Sequence, residues 1–233
     1  MKRFRETMIA NALARRNGVV ALVPWTPSAA FTFVNPPSSG TWSDSAGTTL
    51  TATISGTPTY TAAFGGGLTM VDASTYITIN ATNPNTDTSF TISMATNFPS
   101  SSAGYTVTPF NGGSATGDVY ATIRVANGWA FGCVGGTQGT GVPYVSTGLA
   151  WWDFVYNGTT NTIYVYKNGS LFSSGPPGIP NKGWSSTMLI GLDRTGNPST
   201  SATFYQIRYG STDLSQASIT TQYNSIKSIY GLP

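Results

Sequence analysis

The chain reads as an all-β protein, a two-sheet antiparallel sandwich with a short helix at its N-terminus and another at its C-terminus. Three observations predict this. Short runs of β-branched and aromatic residues recur along most of the 233 residues, separated by glycine, proline and asparagine. Gly, Ser, Thr and Asn are abundant while Leu and Lys are few, which suits short strands and tight turns better than helices. Only near the two ends does the apolar spacing change from alternation to the 3.6-residue period of a helix.

Residues 1–18 form a separate N-terminal unit, a basic amphipathic helix, and residues 19–233 the sandwich. Within 2–17, Phe4, Met8 and Ala12 fall on one line with Ile9 and Leu13 beside it, and Asn17-Gly18 supplies the stop. Arg15 and Arg16 suit the negative end of the helix dipole, whereas Lys2 and Arg3 oppose the positive end. A secretory signal is the competing reading, but Asn11 interrupts a short apolar run and two arginines follow it at once. An isolated helix of this length is marginal in water, so it is expected to rest on this domain, another subunit or a larger assembly.

From Val19 onward the alternation predicts ten strands, around Leu50–Ser55, Tyr76–Asn80, Ser89–Ala95, Tyr105–Thr108, Asp118–Val125, Trp129–Val134, Ala150–Tyr156, Thr162–Lys167, Met188–Leu192 and Phe204–Tyr209. Asn157-Gly158 lies between the runs Trp152–Tyr156 and Ile163–Tyr166, and Asn168-Gly169 follows the second; such pairs accept the positive φ of tight hairpins, predicting an antiparallel meander. They also explain asparagine there without a glycan, although Asn80, Asn157 and Asn168 fit the acceptor pattern for one. Near the C-terminus Ser215 is placed to cap a helix, Leu214 to pack on Ile219, and Ile219, Tyr223 and Ile226 to share the face that meets the sandwich.

Charge is concentrated at one end. Lys2, Arg3, Arg5, Arg15 and Arg16 against Glu6 leave the first 16 residues at +4, and the rest of the chain at −1. The pI of about 9 therefore describes the N-terminal unit, and a nucleic-acid surface, which needs clustered cations on a domain face, is not expected. No apolar stretch approaches the roughly 18 residues of a membrane span. The single cysteine, Cys133, excludes an intrachain disulfide and a cysteine-based zinc site, and its neighbours Phe131 and Val134 suit a buried position.

Several segments, in order, look like the laminin G-like jelly-roll branch of the concanavalin A-like lectin/glucanase superfamily. Gly56-Thr-Pro-Thr-Tyr60, Phe64-Gly-Gly-Gly-Leu68, Val71-Asp72 and Tyr76-Ile-Thr-Ile79 resemble its opening, a glycine-bearing turn before a strand. Phe90-Thr-Ile-Ser-Met94 is similar to its first long strand, Trp152–Val155 with Ile163–Gly169 to its Trp-x-x-Val strand and hairpin, and Ile190-Gly191, Phe204–Tyr209, Leu214-Ser215 and Tyr223 to its closing strand and helix. The resemblance covers about residues 30 to 230 and implies a jelly-roll sandwich, with Trp152 in its core; it does not imply one function. The first 18 residues and the glycine-rich stretch from Gly112 to Gly148 depart from it.

Glycosidases of that superfamily use two glutamates on one strand. This chain has one, Glu6, in the N-terminal unit, and none of its seven aspartates lies two residues from another. With no histidine, a Ser-His-Asp or Cys-His catalyst and histidine metal ligation are excluded. No catalytic residue is assigned and no cofactor is required. Calcium is the one metal the donors suit, through Asp72, Asp118 and Asp193, although turn aspartates bonding their own backbone read the same way.

What remains is binding. Trp129, Tyr144, Trp151 and Trp184 lie near Gly- or Pro-rich loops and can stack on sugar rings, the alternative for each being core or inter-subunit packing. The sequence thus predicts a non-catalytic structural or adhesive module, read as a phage virion protein such as a capsid decoration, head-fibre or tail-associated component. Phe4, Met8, Ile9, Leu13, Arg15 and Arg16 would dock it to other virion proteins or to copies of itself in a homo-oligomer. The alternative is a carbohydrate-binding module, extracellular or virion-borne, that recognises cell-surface glycans.

Overall fold

The computed structural model describes residues 29–44, 51–79, 89–98, 106–112, 119–124, 128–133, 148–176, 187–192 and 201–233. The N-terminal unit, with its anchor residues Phe4, Met8, Ile9, Leu13, Arg15 and Arg16, lies outside them. The described strands are β1 (Ala29–Val34), β2 (Gly40–Ser43), β3 (Thr51–Ser55), β4 (Thr59–Thr61), β5 (Gly67–Thr69), β6 (Tyr76–Ile79), β7 (Phe90–Phe98), β8 (Thr106–Asn111), β9 (Val119–Arg124), β10 (Gly128–Cys133), β11 (Gly148–Asn157), β12 (Thr162–Lys167), β13 (Ser170–Gly175), β14 (Met188–Ile190) and β15 (Thr203–Gly210). One helix, α1 (Gln216–Ile226), follows them.

All pairings are antiparallel and fall into two sheets. The first runs β13-β12-β11-β7-β15-β5-β4, with β1 also on β15; the second runs β10-β9-β8-β14-β6-β3-β2. Side chains of both sheets meet in one core, including Phe33, Met94, Trp152, Phe154, Phe204 and Ile207 from the first and Trp42, Ile54, Ile77, Ile79, Phe110 and Ile190 from the second. The molecule is a β-sandwich with a C-terminal helix, and all ten expected strands are present within a few residues of their expected ends.

Strand period decides which side chains enter the core. In β7, Phe90, Ile92, Met94 and Phe98 face inward, and in β11 Trp152, Phe154 and Tyr156 do. The alternate residues Ala95, Trp151 and Val155 face outward, where an ordinary antiparallel sheet meets water. Here they are buried as well, because α1 and the residues after it lie across that outer face. Ser215 caps the helix by accepting from the Ser218 backbone N–H at 3.2 Å; Leu214 and Ile219 share a cluster with Val155 and Tyr166, and Ile219, Tyr223 and Ile226 point inward as the sequence predicts.

The two Asn-Gly turns behave differently. Asn168 and Gly169 adopt φ of 51° and 76° between the paired Lys167 and Ser170, the expected two-residue hairpin. Asn157 pairs with Thr162 instead, so residues 158–161 form a longer connection whose positive φ falls on Asn161. The reason is that the Asn157 side chain is already engaged, its Oδ1 accepting from the Thr160 backbone at 2.9 Å and its Nδ2 donating to Asp213 at 2.6 Å.

Candidate functional site

The described surface carries four exposed large apolar side chains: Tyr60, Phe64, Val71 and Leu171. Tyr60 on β4 and Phe64 in the connection that follows it lie at the β4–β5 edge of the first sheet, where the chain turns through Gly65-Gly66-Gly67. Phe64 has φ of 55°, in the left-handed region, and Gly65 and Gly66 follow at 86° and 125°. An aromatic residue there costs roughly 1–2 kcal/mol of backbone strain, which must be offset by what its ring touches. It meets Tyr205 edge-on at 5.5 Å and Tyr230 at 5.9 Å between ring centroids.

The last two glycines of the run have separate reasons to be small. A Cβ on Gly66 would stand 3.1 Å from the Tyr60 hydroxyl, and one on Gly67 would stand 2.6 Å from the Tyr205 ring. Tyr205 reaches this position through a β-bulge: Phe204 pairs with Thr96 and Gln206 with Ala95, leaving Tyr205 as the extra residue. Phe204 therefore enters the core between the sheets while Tyr205 joins Trp151, Tyr223, Ile226 and Tyr230 on the outer face. The two side chains of this ledge, Tyr60 and Phe64, are each about two-fifths exposed, and Phe64 is backed by buried Tyr205 and Tyr230. Rings held this way offer a saccharide a flat apolar face with a phenolic hydroxyl beside it.

Behind the ledge lies a second group of polar residues. Strand register sets Asp153 opposite Ser93 and Ser93 opposite Arg208, one row across β11, β7 and β15 on the outer face. Asp153 Oδ1 accepts from Ser93 Oγ at 2.5 Å, from Trp151 Nε1 at 3.0 Å and from Gln222 Nε2 of α1 at 3.3 Å, while its Oδ2 is buried with no hydrogen-bond partner. Burial pushes its carboxyl up to about 7, against the opposing pull of the Ser93 and Trp151 hydrogen bonds and the Arg208 charge. The Arg208 guanidinium lies 5.5 Å from the Trp151 ring centroid and donates to the Gln206 amide oxygen at 2.6 and 2.8 Å, and that amide's nitrogen donates to the Tyr230 hydroxyl at 2.6 Å. Burial lowers Arg208 to about 10, so it stays cationic. A carboxyl perturbed this far is a common mark of chemistry, but Asp153 is fully enclosed and no substrate can touch it.

The residues singled out from sequence fare unequally. Trp151, read from its place near a loop either as a stacking face or as core packing, is buried under the C-terminal segment and donates its N–H to Asp153. Trp129 lies on β10, and Tyr144 and Trp184 fall outside the described residues. Asp72 is a turn residue: its Oδ1 accepts from the Ser74 N–H at 2.8 Å and the Ser74 hydroxyl at 2.6 Å, and these bonds hold its carboxyl below the usual range. The other two calcium candidates, Asp118 and Asp193, lie outside the described residues, and among those described no three His, Cys, Asp or Glu come together. Tyr60 and Phe64 were missed as site residues, although an aromatic residue directly before three glycines was the available signal.

No protein-family model and no curated protein sequence matches the chain. Solved structures do match. The binding domain of botulinum neurotoxin DC in complex with SialylT aligns with a TM-score of 0.67 at 14% identity, over 86% of this chain and 52% of that one. The serotype D ligand binding domain in complex with N-acetylneuraminic acid aligns at 0.64 and 13%, over 84% and 50%. The DC binding domain in complex with rat synaptotagmin II aligns at 0.66 and 14%, over 85% and 52%. This chain thus shares a fold with these domains and spans about half of their length. Among the described residues, no helix is long and apolar enough to cross a membrane.

Proposed function

We propose that the chain is a non-catalytic glycan-binding module that stacks a saccharide on Tyr60 and Phe64. The observation that carries this is Phe64 itself, an exposed ring held at a left-handed backbone angle by a glycine run and braced by two buried tyrosines. Strained residues that keep an apolar ring in solvent cluster at ligand sites. The likeness in fold to toxin domains crystallised with SialylT and N-acetylneuraminic acid adds support for a saccharide as the ligand.

A glycan array with the full chain tests it, followed by Tyr60→Ala and Phe64→Gly. Loss of array binding in both variants, with thermal unfolding little changed, is the expected result; binding that survives both moves the site elsewhere, with Trp129, Tyr144 and Trp184 next to examine. The virion assignment, and docking or homo-oligomerisation through the basic N-terminal helix, rest on the sequence. They are compatible with this reading, since a virion-borne lectin would attach its particle to glycosylated cells.

A further inference from the structure

Behind Phe64 the polar side chains are ordered by what each can donate and accept. Arg208 has donors only, and its Nε and Nη2 reach the Gln206 side chain at 2.6 and 2.8 Å, so that amide must turn its oxygen toward the guanidinium. Its nitrogen then points the other way and donates to the Tyr230 hydroxyl at 2.6 Å. Gln206, Arg208 and Tyr230 are all buried, where water does not compete for these bonds. The β-bulge brings them together: Tyr205 and Gln206, neighbours in sequence, both face outward, and Arg208 follows two residues later on the same face.

The Tyr230 ring stands among other rings, with Trp151 and Tyr205 at 6.4 Å and Phe64 at 5.9 Å between centroids. Such contacts are favourable over about 4.5–7 Å and at many tilts, so they hold a ring without fixing it. A hydrogen bond weakens steeply with distance and angle, and the one to Gln206 therefore decides where Tyr230 stands. Phe64 depends on that, because its left-handed backbone is unfavourable for an aromatic residue and the glycines after it add no restraint.

We infer that Gln206 is a positioning residue for the exposed ring: it meets no ligand, but it anchors Tyr230, and Tyr230 holds Phe64 at the angle at which a sugar stacks. The inference rests on the glycan reading of Phe64 and extends the site inward from that ring, through Tyr230 and Gln206, to the Arg208 cation. Affinity then comes partly from pre-organisation, since a ring already held in place costs less to order when the saccharide arrives. Gln206 and Arg208 thereby act on a binding event that neither can touch.

Tyr230→Phe in the full chain keeps the ring and removes only the hydroxyl. Calorimetric affinity for an array-positive saccharide is expected to fall roughly tenfold, the scale of one buried hydrogen bond, and the NMR contact between the Phe64 and Tyr205 rings to weaken. Gln206→Met should lose as much; because it strands Arg208 and can cost the fold, Tyr230→Phe remains the deciding variant. Gln206→Glu, whose carboxylate accepts from Arg208 and Tyr230 alike, should restore binding. Tyr223→Phe is the control for a merely structural effect. It removes a hydroxyl that donates to the Pro233 backbone oxygen, on a ring packed over Gly169, and should lower the unfolding midpoint while affinity stays at the wild-type value. Wild-type affinity in Tyr230→Phe overturns the inference, and so does an equal loss in Tyr223→Phe, which reduces the effect to general stability. A Gln206→Glu variant that binds as poorly as Gln206→Met also overturns it. If the chain binds no saccharide on any array, the glycan reading falls, while the Phe64–Tyr205 ring contact still decides whether Gln206 and Tyr230 hold Phe64 in place.

Discussion

The two faces of the first sheet come from the same three central strands, yet they are held by different physics. Inward, register stacks Trp152, Met94 and Ile207 into one row and Phe154, Ile92 and Tyr209 into the next, all against the second sheet. Outward, the interleaved row is Asp153, Ser93 and Arg208, closed over by a helix. A one-residue step along the strand thus separates cohesion set by volume from cohesion set by buried charge and hydrogen-bond geometry. The inner face is expected to be indifferent to pH. The outer face is expected to carry the pH dependence of the molecule, and it also supports the exposed ledge.

The comparison is broken most severely from the inside. Trp152 is fully buried and packs against Phe98, Phe154 and Phe172. Trp152→Ala is expected to cost about 3–5 kcal/mol, the range for removing a large aromatic from a core. Urea unfolding at pH 5 and pH 8 should give the same loss at both; a pH-dependent loss would mean that the two faces are not independent.

Next in size is the junction between the faces. In Gly67→Ala the new methyl meets the Tyr205 ring, which must move against the bulge that holds it. Overpacking of this kind costs about 1–3 kcal/mol, and because Tyr205 supports Phe64 the variant should also lose saccharide binding. A crystal structure showing Tyr205 unmoved would separate the ledge from the bulge. A smaller effect, about 1 kcal/mol, is expected for Ser215→Ala, which removes the cap of α1. Exchange should show the loss in the helix amides while β7 and β11 keep theirs.

How much of this was legible beforehand depended on whether a signal was local. The ten long or strongly alternating runs were readable because period-two burial writes itself into neighbouring residues, and Ser215 with Leu214 and Ile219 marked the helix start in the same way. β4 and β5 were missed because three residues on each side of a glycine turn show no period. β13 was missed because Ser-Leu-Phe-Ser-Ser-Gly reads as linker. Leu171 faces solvent while Phe172 packs on the core, and a register shift between Val165 and Tyr166 leaves Phe172 as the extra residue, which disturbs the pattern further along the strand. The site was less legible than the fold. Whether a tryptophan is sealed or displayed depends on which element crosses it, and nothing around Trp151 states that a helix more than sixty residues later will lie over it. Asp153 had the same problem: its sequence position says carboxylate, and only the row across three strands says buried acid.

The finest test of the division between faces is Phe64→Gly. Glycine at this position relieves about 1 kcal/mol of backbone strain, and the lost ring contacts with Tyr205 and Tyr230 are worth about 0.5–1.5 kcal/mol each. The two effects oppose one another, so the midpoint of thermal unfolding should move by only a few degrees. Saccharide binding should nevertheless disappear, since one of the two rings that meet solvent on the ledge is gone. A variant that unfolds much earlier would show that Phe64 is a structural plug for the C-terminal segment, whereas unchanged stability with lost binding would show that the strain is maintained for the ligand.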